Sequence, residues 1–278
     1  MKLRYFWLLL WLTCLPLQAA NYFVDYAAGN DANAGTSTGA PFKRCPGDVN
    51  ATGTAAGTSL AAGDTVLFKG GISYIVNANA GSTCIGLNWT GISTSPITYD
   101  GNSAGTWGTG KAIITDNFAN HLGNLWFPFY GGGNRTGLTF RNFAFQNIGG
   151  SASLPPDTGS PVPRNSGVCI FINGGATDCI VRDCSFSQIG YWFNQKPMNA
   201  ESISGGGITV LNCNSLTITN CSFTRLNIPC EMAANSLINN LTIANCTFTD
   251  SIRWCVDLLP NASGATIDNV FIHHNQFY

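Results

Sequence analysis

The sequence predicts an all-β solenoid, a stack of coils made of short strands, and three observations lead to this prediction. A phrase of alternating apolar residues followed by a turn residue, a small residue and Phe recurs at variable intervals. The composition is rich in residues that favour turns, with 32 Gly, and only 10% of the residues are charged. The apolar residues follow a two-residue period rather than the 3.6-residue period that a helical solenoid requires.

The first twenty residues, "MKLRYFWLLLWLTCLPLQAA", predict a signal peptide. Lys2 and Arg4 supply positive charge, Phe6–Leu12 is apolar, and Ala19–Ala20 are small residues suited to cleavage. An N-terminal membrane anchor is the alternative, but the apolar run is too short to span a bilayer. We therefore expect residues 21–278 to be a secreted or periplasmic domain that has no membrane attachment after cleavage.

Net charge and cysteines limit the possible partners and compartments. The formal charge is −1, which gives no field that favours nucleic acid. Outside the signal segment ten cysteines remain, and an oxidising compartment permits disulfides, for example between Cys45 and Cys84. Three others occupy one place in successive repeats, which favours stacked, buried, reduced thiols: Cys184, Cys221 and Cys246.

The repeated phrase is clearest as "NSLTITNCSFTR" and "NNLTIANCTFTD". Five copies align on the turn residues Asn142, Asp183, Asn220, Asn245 and His274, at intervals of 41, 37, 25 and 29 residues. A constant phrase at variable spacing is typical of a solenoid whose insertions loop outward.

Each copy predicts a strand, a corner and a second strand. In the third copy the apolar residues Leu216 and Ile218 alternate with threonines, as in a strand with one buried face. Asn220 then turns the chain, because Asn tolerates left-handed backbone angles, and "CSF" begins the next strand. A third apolar stretch lies between copies, as in "GGITVLNC" and "IPCEMAAN". Three strands per coil predict a parallel β-helix.

These phrases resemble the coils of right-handed parallel β-helix proteins of the pectate-lyase-like superfamily. The N-terminal segments "YFVDYAAGNDANAGTSTGAPFKRC" and "LAAGDTVLFKGGISY" are similar to the opening of secreted β-helix polysaccharide lyases. The resemblance implies an N-terminal cap and first coil over 21–75, and regular coils over 136–278 with insertions at 147–167 and 188–206. The chain ends within a copy of the phrase, so we expect further coils or a C-terminal cap to be missing.

The resemblance implies a substrate groove on the outer face of the strand that precedes the "LTI" strand. With Ile170, Val210, Met232 and Leu258 turned inward, the outward residues are predicted to be Cys169, Thr209, Glu231 and Asp257. Glu231 and Asp257 would then be carboxylates on adjacent coils, suited to calcium or to acid–base chemistry. The alternative is a pair of exposed, solvated acids.

The corner before this strand carries Arg225 and Asp250, which close successive copies of the phrase, and then Arg253. A surface salt bridge is the simplest interpretation. The functional interpretation makes Arg225 and Arg253 candidates for neutralising a uronic acid or abstracting its α-proton, with Asp250 as a further metal ligand.

The insertion at 188–206 carries aromatic and charged residues. Tyr191, Trp192 and Phe193 are candidates for stacking on sugar rings, or alternatively for pinning the loop to the solenoid. Lys196 is a weaker catalytic candidate, and Glu201 can contact an acidic sugar.

The resulting hypothesis is an exported, monomeric polysaccharide lyase that cleaves a pectate- or alginate-like polymer by β-elimination with calcium. The alternatives are a non-catalytic surface or adhesion protein that uses the β-helix as a stalk, and a glycoside hydrolase on the same fold.

Overall fold

A computed structural model describes residues 18–77, 83–117, 127–148, 167–189, 206–251 and 254–278. In these ranges the chain forms one short helix, α1 (Gly53–Gly57), and strands β1 (Asn21–Val24), β2 (Thr65–Phe68), β3 (Ser73–Ile75), β4 (Thr83–Gly86), β5 (Ile97–Asp100), β6 (Ala112–Thr115), β7 (Phe127–Gly131), β8 (Arg135–Thr136), β9 (Leu138–Arg141), β10 (Phe143–Ile148), β11 (Val168–Arg182), β12 (Ser185–Ile189), β13 (Gly206–Thr219), β14 (Ser222–Leu226), β15 (Ile228–Ala234), β16 (Leu237–Ala244), β17 (Thr247–Thr249), β18 (Val256–Pro260), β19 (Thr266–His273) and β20 (Gln276–Phe277).

The strands stack in parallel into three faces. Face 1 runs through β4, β7, the first halves of β11 and β13, β15 and β18. Face 2 runs through β1, β2, β5, β9, the second halves of β11 and β13, β16 and β19. Face 3 contains β3, β6, β10, β12, β14, β17 and β20. Each coil crosses the three faces in turn, so the predicted parallel β-helix is confirmed.

Left-handed residues form the corners between the faces. The five aligned turn residues all have φ between 54° and 60°: Asn142, Asp183, Asn220, Asn245 and His274. A second corner column has φ between 53° and 59°: Asn147, Gln188, Arg225 and Asp250. Because a left-handed residue redirects the chain within one position, the chain passes from face 2 to face 3 at the first corner column without a long loop.

The interior is a ladder of identical side chains. Phe145, Phe186, Phe223, Phe248 and Phe277 stack with ring centroids 4.8 to 5.1 Å apart and ring planes within 7° of parallel. These spacings equal the distance between neighbouring strands. The ladder therefore holds consecutive coils in register.

The cysteines are structural thiols. Cys184, Cys221 and Cys246 are buried and free, as predicted, and each Sγ lies 3.3 to 3.4 Å from a nearby carbonyl oxygen. The Cys45–Cys84 disulfide that an oxidising compartment permits is not formed, because both residues are buried free thiols and Cys45 Sγ lies 3.6 Å from the Tyr74 hydroxyl.

Buried carboxylates hold the N-terminal cap. Asp25 accepts the Ala27 and Ala28 amides and forms a 2.7 Å ion pair with Lys69 Nζ. Asp64 accepts the amides of Ala20 and Ala61.

No helix within the described part of the chain is long and apolar enough to cross a membrane.

Candidate functional site

The candidate site is a column of side chains on the outer surface of face 1. Strand pairing puts one residue from each coil in register, and we call this set the outer column: Gly86, Tyr130, Phe171, Thr209, Glu231 and Asp257. The residues of the outer column face outward because the next residue in each strand faces inward. Ile172, Val210 and Met232 are at most 2% exposed and belong to the interior core.

The predicted pairing of Glu231 with Asp257 is confirmed. The two residues are direct partners in β15 and β18, and both point outward because the next residues, Met232 and Leu258, pack on the core. The adjacent strands put their backbones about 5 Å apart. The predicted position of Thr209 in the same column is also confirmed.

The prediction that Cys169 occupies the same column as Thr209 is wrong. Thr209 pairs with Phe171, so β11 is displaced by two residues from the predicted alignment, and Cys169 is completely buried. A displacement of two preserves the inward–outward alternation. Ile170 and Ile172 are both buried, and either one satisfies the apolar pattern.

The two acids of the pair differ in solvent exposure. Asp257 is buried at 9% exposure and Thr209 at 5%, whereas Glu231 is partly exposed. The Thr209 hydroxyl donates to Glu231 Oε2 at 3.3 Å, which orients that carboxylate. Two carboxylates on neighbouring strands repel each other unless a cation or a shared proton reduces their charge. This arrangement can therefore bind a cation or work as an acid–base pair.

The oxygen donors suit calcium better than a softer metal. Calcium takes six to eight oxygen ligands at flexible geometry, and Glu231, Asp257 and the Thr209 hydroxyl are oxygen donors within one column. Over the described ranges no group of three or more His, Cys, Asp or Glu residues is arranged to hold a metal. A calcium ion here would complete its shell with water and with substrate oxygens.

Arg225 and Asp250 lie together at the second corner column. Arg225 Nε is 3.6 Å from Asp250 Oδ2, and the two side chains are 43% and 60% exposed. Arg225 lies in β14, at the corner that leads into β15 and Glu231. The sequence predicted this stacked pair correctly, and the roles of Arg225 in catalysis and of Asp250 in metal binding stay predictions.

The sequence analysis missed two members of the outer column, Tyr130 and Phe171. Tyr130 lies before the first copy of the phrase, in a stretch that the alignment did not include, and Phe171 was missed because its strand was aligned two residues out of register. The available signal was the apolar-aromatic stretches "FPFYG" and "VCIFI", which have the length and position of the third strand of a coil.

Several predicted residues fall outside the described ranges, and their roles stay predictions: Tyr191, Trp192, Phe193, Lys196, Glu201 and Arg253. The signal segment through residue 17 and most of the two insertions also lie outside them.

Comparison with known proteins finds similar solved structures at low identity. A GH136 lacto-N-biosidase from Eubacterium ramulus is 12% identical, with a TM-score of 0.42 and 93% of this chain covered. A rhamnogalacturonan lyase is 14% identical, with a TM-score of 0.42 and 94% of this chain covered. The chain spans only 56% and 63% of the length of these two proteins. No family model matches the chain, and no curated protein matches it.

Proposed function

We propose that the protein is an exported carbohydrate-active enzyme that binds an acidic polysaccharide along face 1 and cleaves it by β-elimination. The observation that carries this proposal is the in-register pair of Glu231 and Asp257 on the outer surface of a rigid parallel sheet. The aromatic ladder of face 3 holds consecutive coils in register, which keeps the acid pair of face 1 in a fixed geometry, as catalysis requires.

The reaction needs three roles. A base removes the proton α to the uronate carboxylate, the bond to the departing glycosidic oxygen breaks as a carbon–carbon double bond forms, and that oxygen receives a proton. Glu231 and Asp257, with Thr209, would hold calcium, which when bound neutralises the uronate carboxylate and acidifies the α-proton.

The cationic residues divide between charge neutralisation and proton transfer. A guanidinium group stays protonated in proteins, and Arg225 lies at the corner that leads into β15 and Glu231. Arg225 is thus suited to neutralising substrate charge. Lys196 is the candidate for the base, because an ammonium group can lose its proton, and Arg253 is a second candidate for charge neutralisation.

The test is the ultraviolet absorbance of the unsaturated sugar that elimination leaves. Mature protein is incubated with pectate and alginate, with calcium or with a chelator. We expect a calcium-dependent rise that falls at least a hundredfold in Glu231→Gln and Asp257→Asn, on the order of 3 kcal/mol in transition-state free energy.

The matched control is Asp268→Asn, which removes an exposed carboxylate from face 2 and should leave the rate unchanged. A folded protein that gives no absorbance rise on any polyuronate would contradict the proposal.

Glycoside hydrolysis is a second candidate function, and the spacing between the two strands that carry the acids supports it. Retaining glycosidases hold two carboxyl groups about 5 Å apart, comparable with the separation of neighbouring strands that carry Glu231 and Asp257. New reducing ends without an absorbance rise would support hydrolysis. Polysaccharide binding with neither product would support a non-catalytic stalk.

A further inference from the structure

Two half-buried aromatic rings belong to the outer column, on the same face as the acids and on the N-terminal side of Thr209. Tyr130 and Phe171 are neighbours in the column, with ring centroids 5.6 Å apart and planes tilted by 52°. Phe127, at 7% exposure, packs against both, 4.7 Å from Phe171 and 5.2 Å from Tyr130. Tyr130 and Phe171 lie outside the interior core cluster and are partly exposed, so they form an aromatic patch on the outer surface, with the buried Phe127 packed against them.

A polar side chain, Asn173, and glycine residues surround the aromatic patch. The exposed Asn173 donates from Nδ2 to the Tyr130 hydroxyl at 3.2 Å, which fixes the hydroxyl and the tilt of the ring. The column position next to Tyr130 is Gly86, and the residue two positions after Tyr130 is Gly132, where a Cβ would lie 3.2 Å from the ring. A side chain at position 132 would crowd the Tyr130 ring, so Gly132 leaves the edge of the ring uncovered, whereas a Cβ at Gly86 would meet the Asn88 side chain instead.

The patch and the acid pair are parts of one straight surface. Phe171 and Glu231 are separated only by Thr209, which puts their backbones two strand spacings, about 10 Å, apart. A linked pyranose advances by a length comparable with one strand spacing. An extended polysaccharide chain with its reacting bond at Glu231 and Asp257 therefore places a ring about two sugar units away over Phe171.

We propose that Tyr130 and Phe171 form a sugar-stacking subsite for the same acidic polysaccharide, and this rests on the proposed function. Aromatic faces carry partial negative charge, which attracts the C–H groups on the apolar face of a pyranose and repels its carboxylate. The subsite thus takes the ring face of a sugar, and the carboxylate points toward solvent and the Asn173 rim. It fixes the direction and register of the chain relative to the acids.

The experiment measures binding and catalysis separately, by calorimetry and by initial rates, on oligogalacturonates from the disaccharide to the hexasaccharide. Phe171→Leu keeps the apolar bulk but removes the flat ring, and Phe171→Tyr keeps a ring. We expect Phe171→Leu to weaken binding of the longer oligomers about tenfold, which is ~1.4 kcal/mol. The shortest oligomers should be unaffected, and Phe171→Tyr should restore affinity.

The matched control is Phe271→Leu, which alters an exposed aromatic residue on face 2 and should change nothing. Thermal unfolding of each variant shows that folding is intact. Equal affinity of Phe171→Leu and the unaltered protein at every length overturns the subsite, and so does the absence of binding to any oligomer. The elimination assay decides the proposed function independently, because binding with a ring-dependent length profile supports the subsite even where no bond is cleaved.

Discussion

At the scale of single residues, the buried ion pair of Asp25 with Lys69 makes the N-terminal cap sensitive to pH. Burial by itself raises the pKa of Asp25, but the hydrogen bond from Lys69 and the amides of Ala28 and Ala27 outweigh it, so the pKa is lowered overall. A carboxylate whose folded-state pKa is depressed contributes stability above its unfolded pKa, near 4, and loses it as the pH falls through the folded value.

We therefore expect Asp25→Asn to lower the free energy of unfolding by about 1–2 kcal/mol at pH 7, because Lys69 is partly exposed and water replaces part of the interaction. The difference from the unaltered protein should shrink as the pH falls below about 4. Urea unfolding at several pH values measures it. An Asp268→Asn control should show no such pH-dependent loss, and a constant difference for Asp25→Asn down to acid pH would contradict the assigned charge state.

The corner residues show where a left-handed backbone conformation can be predicted from the residue type and where it cannot. Asn220 was predicted to turn the chain because of its residue type, and its φ is 54°. Arg225 has φ 59°, although neither its size nor its charge indicates a left-handed conformation. Only its alignment with Asp250 and Gln188 places it at a corner, so the repeat carries information that the residue type does not.

At the scale of strands, the phenylalanine ladder of face 3 links one coil to the next. Phe223 is completely buried between Phe186 and Phe248, whereas Phe277 in the last coil is 55% exposed and stacks only on its Phe248 side among the described residues. The same side chain thus occupies two environments within one ladder, which supplies an internal control.

We expect Phe223→Ala to lower the free energy of unfolding by about 3–5 kcal/mol, since it opens a cavity between two stacked rings. Phe277→Ala should cost about 1 kcal/mol, because half of that ring already contacts water. Denaturant unfolding followed by circular dichroism measures both. Similar losses for the two variants would mean that the stacked rings do not couple the coils.

Strand order and register were predictable where the repeat phrase is regular. The pairing of Glu231 with Asp257 followed from turning Met232 and Leu258 inward. The pairing of Phe171 with Thr209 did not follow, because Ile170 and Ile172 are both buried and the apolar pattern does not say which of them pairs with Val210. The 37-residue interval of the phrase does not give this pairing either, because β11 has a register shift between Ile172 and Gly175.

At the scale of the whole molecule, a solenoid distributes its stability along its axis because each coil contacts mainly its neighbours. The interior coils are hydrogen-bonded on both sides, as β13 is to β11 and β16 on face 2. In the last coil β19 pairs with β16, and its Phe271 and Ile272 are 55% and 42% exposed. Among the described residues, β19 therefore has a strand neighbour on one side only.

Amide hydrogen exchange should report this gradient. We expect the amides of β19 to exchange orders of magnitude faster than those of Leu216–Thr219 in β13, because opening the last coil breaks one set of strand contacts while opening β13 breaks two. Mass spectrometry of peptides from the two strands measures the ratio. Equal protection that persists on dilution would contradict the nearest-neighbour description. Protection of β19 that disappears on dilution would instead show that a second copy covers the exposed edge, since only an intermolecular contact depends on protein concentration.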